Sequence, residues 1–98
     1  MPTKQKKTNE LPGLGTKFTE AKRIVLEYLV EDSRAPFTGM SIHDATHVAM
    51  PSVYGIIIKM QVAGWITVEK KGREKVCKFA VGGSTAARKY LKEHANRP

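Results

Sequence analysis

The densest group of chemically active side chains is a set of cations close to residue 75. These cations surround a glycine at position 72 and comprise Lys70, Lys71, Arg73, Lys75 and Lys78. The whole chain of 98 residues has 17 Lys and Arg residues against 9 Asp and Glu residues, and its formal net charge is +8. A small protein with such an excess usually binds a polyanion or an acidic surface. The charge therefore predicts nucleic acid as the partner, although a basic surface can also serve solubility alone.

The stretch 51–65 has the period of a helix and carries the second group of candidate residues. Its apolar stripe, which is expected to be buried, consists of Val53, Ile56, Ile57 and Met60. The other side carries small, polar and cationic residues, among them Ser52, Tyr54, Gly55 and Lys59. Pro51 suits the first helical position, where its missing N–H costs nothing, and Gly64 is placed to end the helix as a left-handed cap. We therefore predict a helix over 51–63 with one face free for a partner.

The remaining reactive side chains do not form a catalytic pattern. His43 and His47 have the i, i+4 spacing of a metal chelate, but no third ligand is near them, which favours polar surface residues. Cys77 is the single cysteine and has no evident histidine partner, so it is interpreted as a core strand residue. No carboxylate pair or phosphate-binding glycine loop is present. We predict no enzyme activity, no metal, no cofactor and no small-molecule substrate.

These residues must be positioned by an α+β fold. Helical periodicity predicts a first helix over 16–32, with Ala21, Ile24, Val25, Tyr28 and Leu29 as its apolar stripe. A short helix over 38–47, the helix 51–63, strands over 65–70 and 76–81 and a last helix over 84–94 follow. This order predicts a winged helix-turn-helix, with three helices, a two-stranded β-hairpin wing and a C-terminal helix. Residues 1–15 are expected to form a flexible basic arm, and residues 16–98 a single winged-helix DNA-binding domain.

The same residues carry a resemblance to a family. The stretch Val53-Tyr54-x-x-Ile57-x-Lys59-Met60-x-x-Ala63-Gly64-Trp65-Ile66 resembles the third helix of PadR-like winged-helix regulators, a pattern shared with MarR-like proteins. Gly39-x-x-Ile42 and Gly72-Arg73 with Phe79-x-Val81 are similar to the start of their second helix and to their wing. Thr46 and the stretch Val81-Gly82-Gly83-Ser84 depart from the pattern. The resemblance implies a dimeric DNA-binding transcription regulator in which Tyr54 contacts a phosphate and the wing contacts the backbone.

We therefore predict a sequence-specific protein for double-stranded DNA that regulates transcription. Helix 51–63 would read the major groove, and the wing 66–81 would contact the backbone or the minor groove. The predicted DNA-binding residues are Ser52, Tyr54, Gly55, Lys59, Lys70, Lys71, Arg73 and Lys75. A homodimer is expected, with the first and last helices as candidates for its interface. The single cysteine and the lack of an apolar run of ~20 residues favour a cytoplasmic, nucleoid-associated protein without membrane contact.

Two alternatives stay open at this point. A winged helix can bind RNA or a ribosomal surface without reading the major groove. It can also serve as a protein-interaction module, for which Ile58 and Val62 would be an exposed apolar patch. From the sequence, Ile58 can equally touch a thymine methyl group, face a partner or pack on its own domain.

Overall fold

Three helices, a β-hairpin and a fourth helix follow one another in the computed structural model, which describes residues 11–31 and 36–95. The elements are α1 (Glu20–Glu31), α2 (Gly39–Thr46), α3 (Met50–Val62), β1 (Ile66–Lys71), β2 (Glu74–Phe79) and α4 (Gly83–Ala95). The two strands are antiparallel neighbours in one sheet. The predicted α+β class and the predicted order of elements are confirmed. Within these described ranges no helix has both the length and the apolar character needed to cross a bilayer.

Helix α1 begins later than its periodicity predicts, and a different row of side chains is buried. Thr19 caps the helix, because its Oγ1 accepts a hydrogen bond of 3.1 Å from the backbone N–H of Lys22. The buried residues of α1 are Lys22, Val25, Leu26 and Leu29. Tyr28 is 37% exposed, so its place in the predicted apolar stripe is wrong. Lys22 takes a core position because its aliphatic stem can be buried while its ammonium group finds carbonyl partners.

Local side-chain chemistry fixes the turn between α2 and α3. Thr38 and Ser41 form a capping box, in which each side chain bonds the backbone N–H of the other residue. His47 ends α2 in the left-handed conformation, with φ 63°, and its N–H donates to the carbonyl of His43. Helix α3 then begins at Met50 with Pro51 in its first turn. The two predicted helices agree with the structure to within one residue at each end.

Gly64 ends α3 as the sequence predicts. Its φ is 83°, a left-handed conformation that favours glycine. The N–H of Gly64 donates to the carbonyl of Gln61, and the N–H of Trp65 donates to the carbonyl of Met60. This pair of bonds is the Schellman motif. The motif turns the chain directly from the end of α3 into the first strand of the hairpin.

A two-residue turn at Gly72 and Arg73 sets the register of the hairpin. Lys71 lies opposite Glu74, and Ile66 lies opposite Phe79. Positive φ at Gly72 alone is the pattern of a type II′ turn, whose twist matches that of the strands. The predicted second strand, 76–81, is shifted by two residues: β2 ends at Phe79, and Val81 is fully exposed in the turn that follows.

The segments before α1 and before α2 make hydrogen bonds and core contacts with distant elements that the sequence does not predict. The backbone of Phe37 exchanges two hydrogen bonds with Cys77, of 2.8 and 2.7 Å, and so ties the start of α2 to the wing. Leu14 is buried, and the carbonyl of Pro12 accepts a bond of 2.6 Å from Nε1 of Trp65. Residues 11–15, which the sequence assigns to the arm 1–15, pack on the domain in this structure because Leu14 completes the core. Residues 1–10 lie outside the described part of the chain.

The core lies between the helices and the inner face of the hairpin. Its buried side chains come from every element and include Leu14, Val25, Leu26, Leu29, Ile42, Val53, Ile57, Met60, Trp65, Cys77, Ala87 and Tyr90. Trp65 is fully buried, and its ring meets that of Tyr90 edge to face, with 5.8 Å between the ring centroids. The core fixes which side of α3 faces the solvent.

Candidate nucleic-acid interface

Helix α3 separates its buried and exposed sides as the sequence predicts. The predicted stripe of Val53, Ile56, Ile57 and Met60 is buried. At about 100° per residue, the opposite side centres on Pro51, Gly55, Ile58 and Val62. Ile58 is 58% and Val62 is 84% exposed, so most of each side chain faces away from the domain, although both border a shallow groove with Pro12, Gly13 and Leu14. The two edges of this exposed side carry the polar residues, with Ser52 and Lys59 on one edge and Tyr54 and Gln61 on the other.

The edge with Ser52 and Lys59 borders a groove that we call the α1 groove. It is lined by Ser52, Gly55 and Lys59 of α3 and by the segment 14–22 on the other wall. Three of the predicted site residues thus lie together. The sequence does not predict that the segment opposite α3 belongs to the site. Its only indication is that Lys17 and Lys22 contribute to the basic excess of the chain.

Lys22 adds a buried cation to the α1 groove. Its Nζ donates to the carbonyls of Leu14 and Lys17, at 3.0 and 2.6 Å. Burial lowers the pKa of the Lys22 ammonium, and the positive charges of Lys59 and Lys17 lower it further. The positive charges of these three lysines lie close enough to affect one another, and together they give the groove a positive potential that favours an anion.

The edge with Tyr54 borders a second depression, which we call the wing depression. Its lining joins the start of α2 (Thr38, Gly39 and Met40) with Tyr54 of α3 and with Arg73, Glu74 and Lys75 of the wing. Tyr54 is half exposed, and its ring lies against Gly39, where a Cβ atom would come within 2.7 Å of Cε1. Only a glycine permits this approach, so Gly39 helps to set the orientation of the Tyr54 ring. In the sequence, Gly39 stands out only as part of the family resemblance.

The wing brings only some of its cations to this depression. Arg73 and Lys75 line it, whereas Lys70 and Lys71 do not. All four side chains are exposed. Lys70 lies directly opposite Lys75 in the register of the hairpin, on the same face. Like charges in this position destabilise a hairpin, and a polyanion would relieve their repulsion.

The other residues with reactive side chains have structural surroundings. Nδ1 of His43 lies 2.7 Å from the carbonyl of Val48, so this nitrogen donates its proton to the turn before α3. No group of three His, Cys, Asp or Glu residues among the described residues is arranged to hold a metal ion. Burial raises the pKa of the Cys77 thiol, which disfavours the nucleophilic thiolate.

Comparisons with solved structures place this arrangement among known folds. MepR, a transcription regulator of the Staphylococcus aureus multidrug efflux pump MepA, superposes with a TM-score of 0.63 at 17% sequence identity, over 79% of this chain and 58% of MepR. AF1382 from Archaeoglobus fulgidus gives a TM-score of 0.64 at 20% identity, over 83% of this chain and 93% of AF1382. RHA00566, an ArsR family transcriptional regulator, gives 0.51 at 26% identity, over 82% and 84%.

The chain has the winged-helix fold. The regulators among these neighbours support the winged-helix type in general and do not single out the PadR-like family. No protein-family model matches the chain, and no curated protein sequence is significantly similar to it. This chain spans little more than half of the length of MepR, so the likeness concerns the winged helix and not the rest of that protein. Within the winged helix, α3 is the third helix and β1 with β2 is the wing.

Proposed function

We propose that this winged helix binds double-stranded DNA in a sequence-specific manner and regulates transcription. The observation that carries the proposal is the position of two cationic margins on either side of the exposed side of α3. Lys59, Lys17 and Lys22 form one margin, and Arg73 and Lys75 form the other. A helix flanked in this way suits the major groove, because the phosphates of both strands border the groove.

The roles proposed for the site residues follow from this placement. Ser52 and Lys59 lie where α3 meets one sugar-phosphate backbone, Tyr54 with Arg73 and Lys75 lies where it meets the other, and Gly55 lies between them, where the helix backbone would come close to the DNA. The Tyr54 hydroxyl would donate to a phosphate oxygen, which positions the protein without reading sequence. Lys70 and Lys71 are retained as longer-range phosphate contacts of the wing, which follows from their charge and exposure.

Two comparisons support DNA as the partner. One solved neighbour is AbfR in its reduced form bound to DNA, with a TM-score of 0.59 at 18% identity. MepR and the ArsR family protein are described as transcription regulators. From the resemblance carried by residues 53–66 we also propose a PadR-like or MarR-like kinship, a homodimer through α1 and α4, and a cytoplasmic location on the nucleoid. A dimer would read two half-sites about one helical turn of DNA apart.

A titration with labelled nucleic acids tests the proposal. The chain is first used to select bound sites from random duplex DNA, and the selected duplex is then compared with double-stranded RNA and with single strands at two salt concentrations. We expect the tightest binding for the selected duplex, with affinity that falls as salt rises. Lys59→Gln should weaken that binding about tenfold through loss of one charge-assisted hydrogen bond of about 1.5 kcal/mol.

Lys92→Gln on α4 provides the control, because it removes the same charge from an exposed position away from α3. It should leave the affinity nearly unchanged. A preference for double-stranded RNA would instead favour the RNA-binding alternative. If no nucleic acid binds to the folded wild type, the proposed function is wrong.

A further inference from the structure

The exposed side of α3 has an apolar centre that the phosphate contacts leave unused. We call it the apolar strip and define it as Pro51, Gly55, Ile58 and Val62. Its two large side chains are mostly exposed, Ile58 to 58% and Val62 to 84%, and only their flank borders the shallow groove against Pro12, Gly13 and Leu14. No residue of the strip carries a side-chain donor or acceptor. Whatever meets the centre of α3 is therefore recognised by shape and apolar contact.

Gly55 gives a second indication of an external body at this strip. A Cβ atom at position 55 would meet nothing within 4 Å, so no contact inside the domain requires a glycine there. Its φ is not in the left-handed region, and glycine within a helix lowers helix stability relative to alanine. A missing side chain at this point allows the backbone of α3 to approach another surface closely.

The margins of the strip select the occupant. Lys59 borders it on one side, and the wing cations Arg73 and Lys75 lie beyond the other, next to Tyr54. A standard protein interface covers about 800 Å² on each partner and is depleted of charge at its centre. The apolar surface of two side chains between cationic margins is too small for such an interface. It does match the major groove of DNA, which has phosphates along both rims.

The floor of the major groove presents one apolar group, which is the 5-methyl group of thymine. We propose that Ile58 and Val62 read thymine by contact with these methyl groups, and that sites with A·T pairs beneath the apolar strip are therefore preferred. The inference rests on the proposed function and deepens it. Ile58 and Val62 are four residues apart, about 6 Å along the helix axis, which is between one and two base steps of about 3.4 Å. Close approach over Gly55 brings both side chains to the floor of the groove.

Replacement of thymine by uracil tests the inference, since uracil lacks only the methyl group. A duplex selected by the wild-type chain is synthesised with single thymines changed to deoxyuridine, and dissociation constants are measured at fixed salt. At contacted positions the wild type should bind the uracil duplex about fourfold more weakly, which corresponds to about 0.8 kcal/mol for one buried methyl group. Ile58→Ala and Val62→Ala should each bind the thymine and uracil versions of one position equally.

Val81→Ala is the matched control, because Val81 is fully exposed but lies after the wing and not on α3. It should keep the full discrimination between thymine and uracil. Thermal unfolding checks that the variants are folded, which is expected because the altered side chains are exposed. A salt slope equal to that of the wild type confirms that the phosphate contacts are intact in the Ile58 variant.

The outcomes separate the inference from the proposed function. If the wild type binds duplex DNA but treats thymine and uracil alike at every position, the inference is wrong and the proposed function stands. If Ile58→Ala abolishes self-association and leaves DNA recognition unchanged, the apolar strip is an interface between copies, and the inference is overturned. If no duplex binds, both fail together.

Discussion

Two glycines show how one residue type serves different ends in this chain. At Gly83, the first residue of α4, a Cβ atom would overlap the carbonyl oxygen of Trp65, which also accepts the N–H of Ala80. The close approach closes the end of the wing against the helix–strand corner. At Gly55 a Cβ atom would meet open space. The first glycine is therefore required by the fold, and the second is required only by what we propose to bind there.

Alanine at these two positions should have opposite effects on stability. Gly83→Ala should lower the free energy of unfolding by about 1–3 kcal/mol, because overlap with the Trp65 backbone cannot be relieved by a rotamer change. Gly55→Ala should raise it by up to about 1 kcal/mol through helix propensity. Urea unfolding followed by circular dichroism measures both. A stabilised Gly55→Ala variant with weakened DNA binding would support close approach at the apolar strip, whereas equal losses of stability would contradict this interpretation.

In the wing, repulsion between like charges on the two strands opposes their pairing. Lys70 and Lys75 are direct cross-strand neighbours, while Lys71 lies opposite Glu74. Only Arg73 and Lys75 reach the wing depression beside Tyr54. From the sequence alone the wing cations are equivalent, because each is an exposed charge on a short hairpin. Register and the direction of the strands distinguish them.

The salt dependence of DNA binding should reveal this difference between the wing cations. Arg73→Gln and Lys75→Gln should each reduce the slope of log K against log salt by about 0.9, the value for one lost phosphate contact. Lys71→Gln, opposite Glu74, should change the slope less, although it removes the same charge. Fluorescence anisotropy titrations between low and moderate salt provide the slopes. Equal changes in all three variants would mean that the wing acts as an undirected cationic surface.

At the scale of the whole molecule, the segment 11–15 closes the domain over the ends of distant elements. Leu14 is buried in the core. The carbonyl of Pro12 accepts from Trp65, and the carbonyl of Gly15 accepts from the Tyr90 hydroxyl at 2.9 Å. The same segment forms one wall of the α1 groove through Leu14 and Gly15. The segment 11–15 therefore contributes both to the stability of the domain and to the shape of the groove that holds one cationic margin.

Two truncations isolate the contribution of this segment. A chain that lacks residues 1–15 should unfold with a free energy at least about 3 kcal/mol lower than one that lacks residues 1–10, since a buried leucine and three hydrogen bonds are lost. Leu14→Ala in the full chain should account for most of the difference. Chemical denaturation of the three proteins gives the comparison. Equal stability of the two truncated chains would show that residues 11–15 are not part of the folded unit.

Local chemistry was sufficient for the sequence to determine the elements around the proposed site. Gly64 as a left-handed cap, Pro51 in the first turn of α3 and Gly72 in the hairpin turn each depend on backbone preferences of one residue, which are legible without the fold. The buried stripe of α3 follows from helical period alone. The basic composition likewise predicted a polyanion before any geometry was known.

Only the tertiary structure decided which residues meet across the chain. Lys22 takes a place in the core and in the α1 groove because carbonyls of the segment before α1 solvate its ammonium group. The Tyr54 ring lies against Gly39, and Arg73 and Lys75 line the same depression as that ring. These contacts connect residues that are far apart in sequence. Periodicity cannot report these contacts, since it describes one element at a time. For the same reason periodicity does not assign a role to Ile58 and Val62, and it is the packing of α3 that places both between two cationic margins with most of each side chain exposed.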